Sequence, residues 1–131
     1  MLNAAARLIS GTRRSEHITP TLAALHWLPV TFRIDFKVLL LTFKALNGLA
    51  PQYLSDLLKP HKPVRPLRSS DMALLDLPWS NRVTKGDRAF AVRAPTLWNS
   101  LPVDLRFTSS LTVFKTKLKT HLYREAFLNP N

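Results

Sequence analysis

Residues 31–48, TFRIDFKVLLLTFKALNG, contain no proline and a single glycine at the end, and their apolar side chains recur at helical spacing. At about 100° per residue, Ile34, Val38, Leu41 and Ala45 fall on one arc. Phe32, Phe36, Leu39, Phe43 and Leu46 fall on a second, with Asp35 and Thr42 in the narrow gap between them. Arg33, Lys37, Lys44 and Asn47 share the remaining side with Leu40. A helix with two apolar arcs has to be covered on two sides. The sequence therefore predicts a central helix at about residues 31–47 with the rest of the chain packed around it. Gly48 suits the left-handed position that ends a helix, and Pro51 prevents continuation. The basic stripe is left for water or for an anionic partner, and solvation alone is a sufficient role for it.

At 131 residues the chain has the length of one domain, residues 1–131, able to bury roughly two-thirds of its unfolded surface. A hydrophobic fraction of 46% is that of a globular chain rather than a disordered one. Lysine and arginine number 19 against 8 acidic residues, a formal charge of +11. Such an excess suits a polyanion, nucleic acid first. The absence of cysteine excludes disulfides and Cys-ligated zinc and fits a reducing, intracellular compartment, cytoplasm or nucleus. The longest clean apolar run of the central helix, residues 38–41, falls far short of the ~20 residues a membrane span needs. Residues 1–9 lack the apolar core of a secretory signal.

Along the chain, residues 3–9 read as a short helix ended by Gly11. Thr19 and Pro20 read as the cap and first residue of a second, with Leu22, Leu25 and Trp27 toward the central helix. Pro29 stops that helix, which makes His26-Trp27-Leu28-Pro29 a corner with Trp27 as a core plug. Residues 51–58 form one more short helix. A basic, Pro-rich connector follows at about residues 59–70, with Lys59, Lys62, Arg65 and Arg68 about three apart, one turn of polyproline II. Residues 73–77 (ALLDL) read as a strand, paired across a loop at 81–87 with 88–92 (RAFAV). Helical turns at 95–100 and 102–105 carry Leu97 and Trp98, with Trp98 and Leu101 in the core. The last helix covers residues 111–127, capped by Ser109 or Ser110, with Leu111, Phe114, Leu118 and Leu122 inward. The predicted fold is mainly α with a small β hairpin.

The chemistry of catalysis is not visible. A two-metal enzyme needs carboxylates converging on ions roughly 4 Å apart, and none of the eight acidic residues is adjacent to another. Asp71, Asp76 and Asp87 gather around the predicted hairpin as turn residues and partners for Arg82 or Arg88. His17, His26, His61 and His121 are scattered without metal-ligand spacing, and no GxSxG, GxGxxG or Walker loop occurs. The expectation is a non-enzyme with no cofactor and no metal. The positive signal is electrostatic: residues 59–93 hold eight basic residues against three aspartates beside Trp79. Arg65, Arg68, Arg82, Lys85 and Arg88 are candidates for phosphate contacts, with Lys115 and Lys119 as a second patch. Trp79 is a candidate for stacking on an unpaired base. Gly86-Asp87-Arg88 reads either as a turn that offers backbone N–H groups to a phosphate or as a self-capped hairpin end.

Residues 26–58 (HWLPVTFRIDFKVLLLTFKALNGLAPQYLSDLL) resemble the C-terminal region of non-LTR, LINE-type retrotransposon polyproteins, downstream of the reverse transcriptase domain. The likeness recurs at 3–20 (NAAARLISGTRRSEHITP), 67–71 (LRSSD), 86–92 (GDRAFAV), 94–102 (APTLWNSLP) and 114–122 (FKTKLKTHL), and so spans nearly the whole chain. The chain departs from that pattern at Asp76, Trp79 and Arg93. It has no adjacent aspartate pair of the kind the reverse transcriptase family uses, so polymerase activity does not carry over. The resemblance implies an accessory, non-catalytic module that helps hold RNA or DNA beside the polymerase body. It equally implies a structural brace, or a relic of a truncated insertion with no activity of its own, because the likeness begins at the start of the chain.

Overall fold

The two strongest periodic segments form the two longest helices of the structure, a computed structural model that describes residues 1–62, 65, 73–78 and 89–129. In chain order the helices are α1 (Leu2–Ser10), α2 (Thr19–Ala24), α3 (Val30–Leu46), α4 (Gln52–Asp56), α5 (Phe90–Ser100), α6 (Val103–Arg106) and α7 (Leu111–Tyr123). A π-helical turn, Arg124–Leu128, continues α7. The described chain is mainly helical, as predicted. It divides into two compact units, Met1–Phe36 with Leu118–Asn131, and Lys37–Lys117. The chain passes from one unit to the other inside α3 and again inside α7.

In the first unit, α1 packs on α2, and Ala6 of α1 is fully buried. Gly11 ends α1 at φ 70°, ψ 13°, the left-handed geometry glycine adopts without cost. The Arg7 guanidinium donates to the carbonyls of Arg13 and, at 2.9 Å, Glu16, which fastens the charged link to α1. Thr19 does not cap α2. Ile18 holds the cap position, no side chain caps the helix, and Pro20 sits in its first turn, where the missing N–H is harmless. Pro29 does not end α2 either. The helix closes three residues earlier: the His26 N–H donates to Ala23 C=O at 3.1 Å, the Trp27 N–H to Leu22 C=O at 2.9 Å, and His26 is left-handed at φ 55°. Pro29 instead opens α3, its carbonyl accepting from the Arg33 N–H at 3.0 Å. Leu22, Leu28, Leu118 and Leu122 are buried. Trp27 is only half-buried, with the Arg33 guanidinium 5.9 Å from its ring centroid, so it is not the core plug the sequence suggested.

In the second unit, Leu39, Phe43, Trp98 and Phe114 make the centre of the core. Phe43 and Phe114 stack at 4.3 Å, and Phe114 and Trp98 meet at 5.9 Å. Trp98 is 2% exposed, as the sequence predicted. Thr42 is fully buried beside them and returns its hydroxyl to Val38 C=O at 2.8 Å, so no polar group is stranded. Gly48 ends α3 at φ 70°, with the Leu49 N–H on Lys44 C=O at 2.8 Å. Ser55 of α4 donates to Ala45 C=O at 2.9 Å. The expectation of two covered arcs on α3 fails on one of them: Ile34 is 54% and Leu41 40% exposed. Of that arc only Ala45, whose carbonyl accepts from the Ser55 hydroxyl of α4, is buried.

The predicted hairpin is not formed. Among the described residues no strand occurs, only an isolated antiparallel bridge between Pro60 and Leu75. Residues 74–76 do pair there, after Ala73 at φ 51°, but their partner is the start of the Pro-rich connector. His61 N–H donates to Leu74 C=O at 2.9 Å and Asp76 N–H to Lys59 C=O at 2.7 Å. Residues 59–61 are thus backbone-paired, unlike polyproline II, which has no partner. The supposed second strand opens α5 instead. Its large–small alternation also fits a helix, and the burial of Ala94 and Trp98, four residues apart, shows which period wins. Residues 81–87 and Arg88 lie outside the described residues.

Candidate nucleic-acid interface

Charge is unevenly divided. Residues 37–117 carry thirteen basic and five acidic side chains, net +8, and the remainder of the chain +3. Of the residues the sequence singled out, Arg65 lies at a bend after the bridge and is exposed. Lys115 and Lys119 are exposed on α7, four residues apart, Lys115 in the second unit and Lys119 in the first. Arg68, Trp79, Arg82, Lys85 and Arg88 lie outside the described residues. Lys59 and Lys62, on either side of the bridge, are exposed as well, as is Lys117. Exposed amines of one sign add their fields over about a Debye length, ~8 Å at physiological salt, which is the physical basis of a phosphate-tracking surface.

The segment that carries Lys59 and Lys62 is fixed with care. Leu75 faces away from Pro60 with its own N–H and C=O, and the Asn99 side chain takes both: its Oδ1 accepts from Leu75 N–H at 2.9 Å and its Nδ2 donates to Leu75 C=O at 2.8 Å. Only one orientation of the amide makes both bonds, so it stands in for a neighbouring strand. Trp98 Nε1 donates to Ala73 C=O at 2.8 Å, beside it. Arg106, almost wholly buried, donates to the carbonyls of Asn99 and Leu101 at 3.1 and 2.7 Å, which satisfies the exit of α5. His61 Nδ1 and Asp76 Oδ1 are 2.7 Å apart, both side chains half-exposed. They edge a cavity of about 290 Å³ with Leu74, Leu75, Leu77 and Asn99. Asp76, expected to serve Arg82 or Arg88, meets His61, and both arginines lie outside the described residues.

The first unit brings together groups that the sequence left apart. The His26 and Tyr123 rings lie parallel within 15°, centroids 5.5 Å apart, and Tyr123 meets Phe127 at 4.8 Å. Tyr123 is held by its hydroxyl, which donates to Ala23 C=O at 2.9 Å. Lys119 precedes Tyr123 by one turn of α7. The partners are a hundred residues apart, and no local pattern could have joined them. His121 and Glu125 pair at 3.1 Å one turn apart. Among the described residues no group of three or more His, Asp or Glu side chains could hold a metal ion, and no helix is long and apolar enough to cross a membrane. No family model, no curated protein and no solved structure matches the chain.

Proposed function

We propose that this chain is a non-catalytic accessory module that holds RNA or DNA through phosphate contacts, in the manner of the region behind a LINE-type reverse transcriptase. The observation that carries the reading is the display of basic charge: a +11 chain with Lys59, Lys62, Arg65, Lys115, Lys117 and Lys119 all exposed. The sequence adds Arg68, Arg82, Lys85 and Arg88 as further candidates for phosphate contacts and Trp79 as a candidate for stacking. Binding of this kind reads the backbone rather than the base sequence. Its test is fluorescence anisotropy of the purified protein against single-stranded RNA and duplex DNA across a salt series. Binding that persists near physiological salt and weakens with a slope of about −0.7 to −0.9 per phosphate contact is the expected result. Charge reversal of Arg65, Arg68, Arg82, Lys85 and Arg88 together abolishes it; unchanged affinity in that variant would sink the assignment.

One observation favours a second reading, a structural brace on a parent polypeptide. Val30, Ile34 and Leu41 of α3 are exposed although apolar, and a protein body could cover them. A folded chain that binds no nucleic acid at any salt concentration would leave that reading, or the relic, standing.

A further inference from the structure

Among the described residues four lie in the left-handed region, three of them at helix ends and the fourth, Ala73, beside the Pro60–Leu75 bridge. Two of the helix ends, at Gly11 and Gly48, place glycine there, with nothing near the position a Cβ would take. The third, at the end of α2, places His26 at φ 55°, with the Trp27 N–H on Leu22 C=O as the Leu49 N–H is on Lys44 C=O after Gly48. A side chain in that conformation costs free energy that glycine would not. Histidine tolerates it better than most residues, but the cost persists, and strain of this kind gathers at sites where a side chain has a task. What the geometry achieves is definite. The His26 side chain is exposed, and one face of its ring lies on Tyr123, which is itself anchored to Ala23 and backed by Phe127. The neighbouring Trp27 is half-buried where His26 is exposed, and the Arg33 guanidinium lies 5.9 Å from its ring centroid.

From this placement we infer that the outward face of the His26 ring is a stacking platform for one unpaired nucleobase, with Lys119 placed to meet the adjoining phosphate. The inference rests on the nucleic-acid reading above and narrows it to single-stranded RNA or DNA. A ring fixed from behind loses little freedom when a base settles on it, and stacking is indifferent to which base arrives. A duplex keeps its bases paired and can use only the phosphate contacts. The residues involved, His26, Tyr123, Phe127 and Lys119, all belong to the first unit.

The test exploits the backbone. His26→Gly removes the ring while leaving the residue that this conformation favours, so folding is retained or improved; His26→Asn, also tolerant of positive φ, is the second variant. Affinity of the full chain for a single-stranded oligonucleotide is compared with affinity for a duplex of the same length, in RNA and DNA forms. The strand carries 2-aminopurine, whose emission reports stacking. The expected result is about a tenfold loss for the single strand in both variants, less than twofold for the duplex, loss of the 2-aminopurine response, and recovery in His26→Phe. Equal losses on single strand and duplex, or a single-strand affinity and 2-aminopurine signal that do not change, overturn the platform while leaving the nucleic-acid reading intact. Wild-type protein that binds neither probe overturns both.

Discussion

Asn99→Ala removes two hydrogen bonds at once, and its cost can be worked from the contacts. The Asn99 amide satisfies both backbone groups of Leu75, a residue 4% exposed. Without it an N–H and a C=O remain in a site that water reaches poorly. Each unsatisfied group costs about 1–3 kcal/mol, and partial access through the adjoining cavity puts the pair near the low end, about 2–3 kcal/mol together. The loss falls first on the local ladder, because Leu75 is bridged to Pro60 and flanked by the His61–Leu74 and Asp76–Lys59 bonds. The assay is native-state amide exchange. Protection at Leu75, His61 and Asp76 should fall by roughly 30- to 150-fold, the factor that 2–3 kcal/mol implies at 1.36 kcal/mol per decade. Amides in the middle of α1, in the other unit, should change little. Asn99→Asp keeps the acceptor but turns a carboxylate oxygen toward Leu75 C=O, so it should not rescue. Unchanged protection at Leu75 in Asn99→Ala would refute the claim that this side chain replaces a strand.

Phe114→Ala removes a fully buried ring stacked on Phe43 and touching Trp98, and should cost about 3–5 kcal/mol in urea denaturation followed by tryptophan fluorescence. Gly48→Ala places a Cβ in open space at φ 70°, so the whole penalty is backbone, about 1–2 kcal/mol, read as a lower urea midpoint with the slope of the transition unchanged. Lys115→Gln leaves an exposed α7 position uncharged; the salt slope for single strands should become shallower by about 0.7 with no change in melting temperature, and a slope that stays the same removes Lys115 from the interface.

The parts of the fold that were legible from sequence are those set by local rules. The spacing of Phe114, Leu118 and Leu122 in α7 and the glycines after α1 and α3 announce themselves within a few residues. The sequence reading puts both Trp27 and Trp98 in the core, and only Trp98 is buried there. What escaped depends on partners distant in the chain. His26 carries no helix-ending signal, since the motif is normally read from glycine. Residues 88–92 suit either period, and only the burial of Ala94 and Trp98 decides between them. The pairing of Asn99 with Leu75 spans 24 residues and uses a side chain in place of a strand, for which no periodicity exists. Exposure of Ile34 and Leu41 depends on what covers α3, which the periodicity of α3 itself does not encode. For the candidate interface, exposure of Arg65, Lys115 and Lys119 follows from charge, whereas the meeting of His26 with Tyr123 does not.

The ladder at Pro60 and Leu75 has a use for protein engineering. Its hydrogen bonds, the His61–Asp76 pair and the Asn99 clasp all lie on residues that flank the twelve positions between His61 and Leu74. The closure cost of the intervening chain grows only with the logarithm of its length, about 0.6 kcal/mol for each doubling. A peptide tag or a short sensor sequence inserted between Lys62 and Ala73, which leaves the Ala73 carbonyl on Trp98 Nε1, would therefore be carried at small thermodynamic expense.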